Sequence, residues 1–292
     1  MVVGALITYW QAIVLGLLQG VSELFPISSL GHSVILPSLL GWNIHQNDPY
    51  FLSFLVATHL ATAIVLLGFF WRDWVRIVKG IGRSIRDREI ATDDADARLG
   101  WLLVVATIPA GILGLTLESP IRKLFASPTI AAVFLTVNGL LLFGAERLRK
   151  RAPNAPEREA DEDNRIAHRV SWGQSVAIGA SQALALIPGI SRSGVTMGGG
   201  LLVGLNNQDA AKFGFLMATP IIGAAALLKL PDLMGHHGDG VRGPALAGSA
   251  GAAITAWFSV KFLMRYFERN TLTPFAIYCF FAGLACLVYF TA

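Results

Sequence analysis

Charge is scarce in this chain. Of 292 residues only 14% are Asp, Glu, Lys or Arg, while 54% are hydrophobic and the mean hydropathy is +0.57. Soluble domains carry about 25% charged residues, so a water-soluble globular protein is excluded and a polytopic membrane protein is implied. Cysteine is scarcer still. Cys279 and Cys286 lie seven apart in one apolar run, on one face of a helix, and a disulfide across two helical turns is geometrically excluded. No other soft ligand accompanies them, so they are read as lipid-facing or packed filler rather than metal ligands. No Lys or Arg precedes Arg72. A secretory leader needs a basic start, so the first apolar stretch is expected to be mature structure. The formal charge of +4 is no argument for nucleic acid; in this setting the bases read as topology signals and contacts with anionic lipid headgroups.

What the chain has instead is apolar length. Runs near the ~20 residues needed to cross a bilayer occur at 51–71, 100–118, 128–146, 213–230, 245–264 and 273–291. Two further segments, 5–41 and 172–206, are broken in the middle by Pro, Gly, Ser and a charge or His. Each is read as a re-entrant hairpin, two short helices meeting at a polar tip shielded by protein or lining water. The expected fold is therefore an all-α polytopic membrane protein, with six transmembrane helices plus two re-entrant helical hairpins. Bases concentrate in 72–98 and 147–169, which places both segments in the cytoplasm, and Lys261, Arg265 and Arg269 follow. The N-terminus and the first hairpin then belong to the outer side. Arg122 and Lys123, in an expected outer loop, run against this order. Within 72–98, Trp74, Ile77, Val78, Ile81 and Ile85 recur at helical spacing among bases, the pattern of a helix on the inner headgroups. The Pro-, Glu-, Asp- and Arg-rich stretch 152–168 reads as a solvated linker.

That linker divides two related halves. Ala12-Ile-Val-Leu-Gly-Leu-Leu-Gln-Gly20 resembles Ser175-Val-Ala-Ile-Gly-Ala-Ser-Gln-Ala183, Pro26-Ile-Ser-Ser-Leu-Gly31 echoes Pro188-Gly-Ile-Ser-Arg-Ser-Gly194, and Phe54-Leu-Val-Ala-Thr58 matches Phe215-Leu-Met-Ala-Thr219. The halves enter the membrane from opposite sides, which makes an inverted-topology repeat with a site expected between them near the midplane. The expected organisation is a first repeat over 1–150 (hairpin 5–41 plus three spans), a cytoplasmic linker over 151–171, and a second repeat over 172–292 (hairpin 172–206 plus three spans).

The chemistry lies in the tips. Gln19 and Glu23 share a helix face at i,i+4, Pro26 ends that helix, and a new one is expected near His32. In the second tip Pro188-Gly189 breaks the helix, Ser191-Arg192-Ser193-Gly194 turns into another, and Thr196 falls in its first turn. A returning half-helix points unpaired amides and its positive dipole end at the tip, a surface suited to phosphate. Arg192 adds planar donors. A guanidinium there costs at least a few kcal/mol unless an anion or a wet cavity compensates it. Glu23 would repel phosphate unless protonated or bridged by a cation; with the amide oxygen of Gln19 it could hold Mg²⁺ or Ca²⁺, or it could orient a water or hydroxyl. His32 could move a proton or act as nucleophile, Ser28 or Ser29 could be nucleophile or donor, and Arg192 would stabilise transition-state charge. The plainer readings are that Ser28 bonds backbone, Glu23 and Arg192 form a structural lock, Arg192 lines a transport path, and His32 is a satisfied interior histidine. His59 is assigned to packing rather than to the cavity. Glu118 and Glu146 sit at span ends, where exposure accounts for them. His45, His168, His236 and His237 fall in loops. Trp10, Trp71, Trp74, Trp101 and Trp172 lie near span ends as interface anchors.

Gln19 to Glu23, Pro26 to His32 and Pro188 to Thr196 resemble, over nearly the whole chain, the undecaprenyl-diphosphate phosphatase family of bacterial membrane enzymes, also known as bacitracin-resistance proteins. The resemblance implies removal of the terminal phosphate from a C55 isoprenoid diphosphate, regenerating the carrier for peptidoglycan synthesis, with consequences for cell-wall biogenesis, cell shape and antibiotic resistance. It also implies a divalent cation, a bacterial inner membrane location and an active site reached from the outer side. Carried across, Glu23, His32, Ser28, Ser29, Ser191, Arg192, Ser193 and Thr196 are the expected functional positions. Gln19, neutral where an acid is also common, weakens a two-carboxylate metal site. Ser29 or His32 is favoured as nucleophile over a directly activated water. The expected partners are a polyprenyl diphosphate and membrane lipids, not nucleic acid; a homo-oligomer is compatible with the sequence. The alternative is a transporter or flippase for a lipid phosphate.

Overall fold

A computed structural model describes residues 7–44, 48–121, 127–149, 162–235 and 240–292. His45, His236, His237, Arg122, Lys123 and most of the expected linker lie outside the described residues, as does the side chain of Glu118. Among the described residues there are twelve α-helices and no strand. They are α1 (Tyr9–Ser22), α2 (Ser29–Leu39), α3 (Pro49–Phe69), α4 (Trp71–Asp87), α5 (Ala95–Ile121), α6 (Pro128–Arg149), α7 (Glu162–Arg169), α8 (Trp172–Ser181), α9 (Arg192–Leu202), α10 (Asn207–Met234), α11 (Arg242–Phe267) and α12 (Thr273–Thr291), with a 3₁₀ turn at Gln182–Leu186.

Six of these are long and apolar enough to cross a membrane: α3, α5, α6, α10, α11 and α12, which makes this a multi-pass membrane protein. They coincide with the six expected runs, and α5, α6, α10 and α11 extend beyond them into polar sequence, because a helix continues until a cap stops it. Asp48 accepts from Tyr50 N with Pro49 in the first turn of α3, and Asn206 accepts from Asp209 N at the start of α10; both are N-terminal signals that hydropathy alone does not see. Small residues bring the helices together. A methyl group on Gly248 of α11 would lie 2.7 Å from Ala12 O of α1, and one on Gly139 of α6 would lie 2.7 Å from Ala276 O of α12. Backbones that close gain van der Waals contact where lipid offers no hydrophobic drive.

Two expectations need correction here. The stretch 152–168 is not all solvated linker. Its C-terminal part forms α7, with Ile166 and Ala167 fully buried. Lys212 of α10 reaches Asp163 at 2.9 Å, Asp73 of α4 at 3.0 Å and Glu162 at 3.2 Å, and Arg165 holds Asp209 through two bonds of 2.9 and 2.7 Å. Charged composition suggested solvent, but these charges neutralise one another at the foot of α4 and α10. Glu146 is likewise not exposed: it is buried and accepts from Asn207 Nδ2 at 3.0 Å and Leu272 N at 3.2 Å, tying α6 to the starts of α10 and α12.

The helix expected within 72–98 forms as α4. Its apolar residues divide: Ile77 is buried while Trp71, Val75, Val78 and Ile85 are exposed. Cys279 is fully buried, 3.3 Å from Asn138 Nδ2, and Cys286 is half-buried; both thiols are free.

Candidate active site

The first tip begins where α1 ends. Ser22 is its last residue, Glu23 caps it, and residues 23–27 turn. Ser28 then caps α2, accepting from Gly31 N at 3.2 Å, so the return helix begins at Ser29, three residues before the position expected. Ser28 has φ 71°, a left-handed conformation that costs a non-glycine residue about 1 kcal/mol or more and persists only where neighbours hold it. The second tip runs from the 3₁₀ turn through Pro188 and Gly189, whose φ of 104° suits glycine alone. Ser191 caps α9, accepting from Gly194 N at 3.1 Å.

These tips meet. Ser28 Oγ also accepts from Gly189 N at 3.2 Å, Ser193 Oγ donates to Phe25 O at 3.0 Å, and Asn138 of α6 bridges both, donating to Pro26 O and accepting from Ser191 N, each at 3.0 Å. The approach is so close that a methyl group on Gly31 would stand 2.9 Å from Gly189 N. Every buried backbone group of a turn needs a partner inside a membrane; here Ser28 serves Gly189 N and Ser193 serves Phe25 O across the junction, and Asn138 supplies partners to both tips.

At the junction, Arg192 Nη2 lies 2.6 Å from Glu23 Oε1. The other oxygen, Oε2, accepts from the Ser29 hydroxyl and from Gln19 Nε2 at 3.1 Å, and faces His59 Nε2 of α3 at 3.3 Å. One carboxylate thus gathers a guanidinium, a hydroxyl, an amide and an imidazole. His32 is held separately: Nδ1 lies 2.7 Å from Ser28 O and Nε2 lies 2.8 Å from Tyr278 OH of α12. A carbonyl only accepts, so Nδ1 carries a hydrogen, while Nε2 shares a hydrogen bond with the tyrosine hydroxyl. Thr196 turns its hydroxyl to Arg192 O and Ser193 O of its own helix, both at 3.0 Å, and the Ser191 and Ser193 hydroxyls are 3.0 Å apart.

Of the residues expected to act, Glu23, Gln19, Ser29 and Arg192 share one constellation. Ser28, Ser191 and Ser193 shape its walls, Thr196 bonds its own helix, and His32 pairs with tyrosine. His59 is the correction: assigned to packing, it stands against Glu23. Asn138 and Tyr278 were missed. The available signal was the same for all three, a lone polar group in the interior of an otherwise apolar span.

The expected cation does not fit here as a protein-held ion. Both Glu23 oxygens already receive N–H or O–H donors, a guanidinium among them. Among the described residues no group of three or more His, Cys, Asp or Glu side chains could hold a metal. Gln19 Oε1 is buried and has no hydrogen-bond partner, a single free oxygen rather than a cage.

Comparison with known proteins bears on this geometry. The family model described as bacitracin resistance protein BacA matches residues 12–285. The chain is 49% identical over 301 residues to the undecaprenyl-diphosphatase of Mycolicibacterium paratuberculosis, covering 97% of each. It is 48% identical over 303 residues to that of Mycobacterium avium, covering 98% of each. With undecaprenyl-diphosphatase 2 of Frankia alni it shares 45% identity over 340 residues, covering 97% of this chain and 98% of that protein.

Proposed function

This chain belongs to the bacitracin resistance protein BacA family, and we propose that it is an integral membrane phosphatase hydrolysing undecaprenyl diphosphate to undecaprenyl phosphate and inorganic phosphate. The observation that carries the reading is the meeting of Glu23, Ser29 and Arg192 from two distant tips. A structural lock would need only the ion pair; a hydroxyl on the same carboxylate is the arrangement of a nucleophile with its base. The relatives' names favour hydrolysis over the transport alternative.

Ser29 Oγ attacks the terminal phosphorus, its proton passes to Glu23, and the bridging P–O bond breaks to release undecaprenyl phosphate. Water then cleaves the phosphoserine and inorganic phosphate leaves. Two features support Ser29 over His32 as nucleophile: Ser29 already rests on Glu23, whereas both His32 nitrogens are engaged. At rest Arg192 occupies Glu23 Oε1. A phosphate that draws the guanidinium to itself frees the carboxylate to take the Ser29 proton when substrate is present. Arg192 then stabilises the charge that grows on the transferring phosphoryl group. A divalent cation belongs to this proposal only as an ion that the diphosphate would bring with it.

The two hairpins are read as re-entrant because α1, α2, α8 and α9 have only 14, 11, 10 and 11 residues; at 1.5 Å per residue even the longest covers about 21 Å of a core about 30 Å thick. An inverted repeat, 1–150 against 172–292, is supported by matched details at a constant offset. Capping boxes occur at Thr8 with Gln11 and at Ser171 with Gln174, and Gly16 approaches Gly248 O as Gly179 approaches Ala106 O. The charge pattern favours a bacterial inner membrane orientation with α4 and α7 on the cytoplasmic side and the site open outward, where recycling of the lipid carrier would serve cell-wall synthesis and cell shape. The test is phosphate release from undecaprenyl diphosphate by the purified protein. Turnover lost in Arg192→Ala and Glu23→Ala while the fold survives supports the site; retained turnover in both refutes it.

A further inference from the structure

Among the described groups on the Glu23 carboxylate, His59 is the one that comes from an uninterrupted spanning helix, and burial sets it apart. The side chain of Glu23 is 5% exposed, that of Arg192 16% and that of His59 26%. The carboxylate lies underneath; the arginine and the histidine form the part of the site that an arriving ligand meets first. His59 is also rigidly oriented. Nδ1 lies 2.7 Å from Leu55 O, one turn back on α3, and since a carbonyl only accepts, Nδ1 carries a hydrogen. Nε2 faces Glu23 Oε2 at 3.3 Å, and that contact is favourable only with a proton on the line between them. Arg192 and His59 thus present N–H groups to opposite oxygens of one carboxylate. An oxyanion has the same need as that carboxylate and, in a diphosphate, more oxygens with which to meet it.

We propose that His59 binds the diphosphate of the substrate: with Arg192 it forms the cationic lip of the site, and its Nε2–H exchanges Glu23 Oε2 for a phosphate oxygen as the substrate enters. Glu23 occupies the lip until then, a resident anion that an incoming phosphate displaces. When both donors leave it together, Glu23 keeps the Ser29 hydroxyl and loses the two contacts that most oppose its acting as a base. The groups facing His59 Nε2 are Glu23 and, through it, Arg192, Gln19 and Ser29. The assignment rests on the phosphatase reading for its substrate, but a lip that binds diphosphate can be measured without turnover.

The experiment compares wild type, His59→Ala and His59→Gln in two assays: steady-state hydrolysis of undecaprenyl diphosphate, and binding of a polyprenyl methylene-diphosphonate, which cannot be hydrolysed. His59→Ala is expected to raise KM and the analogue's Kd about 10- to 30-fold, the loss of one charge-assisted donor, while kcat stays within about threefold. His59→Gln, whose amide can still donate, is expected to recover most of that binding. Unchanged KM and Kd in His59→Ala would overturn the proposal, as would an effect confined to kcat. Binding in His59→Gln no better than in His59→Ala would do so as well. Thermal unfolding identifies a variant that fails to fold; should alanine fail, the glutamine and His59→Asn variants decide by the same criterion. Wild type that binds the analogue through His59 but releases no phosphate would sink the phosphatase reading and leave the lip standing. Wild type that hydrolyses, with His59→Ala binding normally, would do the reverse.

Discussion

In the first tip Ser28 caps a helix by accepting from Gly31 N, and in the second Ser191 caps a helix by accepting from Gly194 N. The scaffolding is the same to the residue, down to a buried glutamine behind each tip, Gln19 and Gln182, whose Oε1 has no partner. The next position differs: Ser29 opens α2 and Arg192 opens α9. From matched frames one tip offers a hydroxyl with its carboxylate and the other offers a cation. The backbones differ too. Ser191 is extended, whereas Ser28 holds φ 71°, because its hydroxyl serves Gly31 N and the opposite tip's Gly189 N at once. On the proposed mechanism each tip's chemistry needs the other's, and the left-handed residue sits where the halves are fastened.

The sharpest way to break this comparison is to remove one tip's contribution. Arg192→Ala or Glu23→Ala is expected to lower phosphate release by about three powers of ten or more, the scale of charge stabilisation in phosphoryl transfer. Ser29→Ala ranks with them, since it removes the proposed nucleophile: a loss of about three powers of ten or more in kcat is expected, with substrate binding largely kept, as read by KM. The caps should separate the tips by stability rather than rate. Ser28→Ala gives up a cap and a bond between tips, about 2 kcal/mol, against about 1 kcal/mol for Ser191→Ala, as measured by thermal or denaturant unfolding. Equal losses would mean that the junction adds nothing. Smallest is Tyr278→Phe, which takes one hydrogen bond from His32 and is expected to cost about 1 kcal/mol of stability with only a few-fold change in turnover.

The six spans and both polar tips were legible because each is a local property: apolar length, or a Pro and Gly break beside Ser and a charge. The convergence of the tips was an expectation drawn from residue types, and Arg192 against Glu23 at 2.6 Å meets it. What escaped depends on neighbours distant in sequence. His59 reads as packing because Ala57, Thr58 and Leu60 say nothing of the carboxylate across from it. Asn138 and Tyr278 are lone polar groups in apolar helices, ambiguous until partners are known. Glu146 lies at a helix end, where exposure is the ordinary case, and only Asn207 and Leu272 make it a buried tie. Residues 162–169 look soluble by composition, and their burial follows from Lys212 and Asp209 on α10, charges that hydropathy counts as defects in a span.

One measurement asks most directly whether two tips make one catalytic site. It is the double-mutant cycle of Glu23→Gln and Arg192→Lys, read as kcat/KM for phosphate release from undecaprenyl diphosphate, these milder variants leaving activity that can still be quantified. Residues that act as a unit are strongly non-additive, so the double variant is expected to fall within about threefold of the worse single variant. Losses that multiply, each variant subtracting its full effect in the presence of the other, would mean that the carboxylate and the guanidinium work apart.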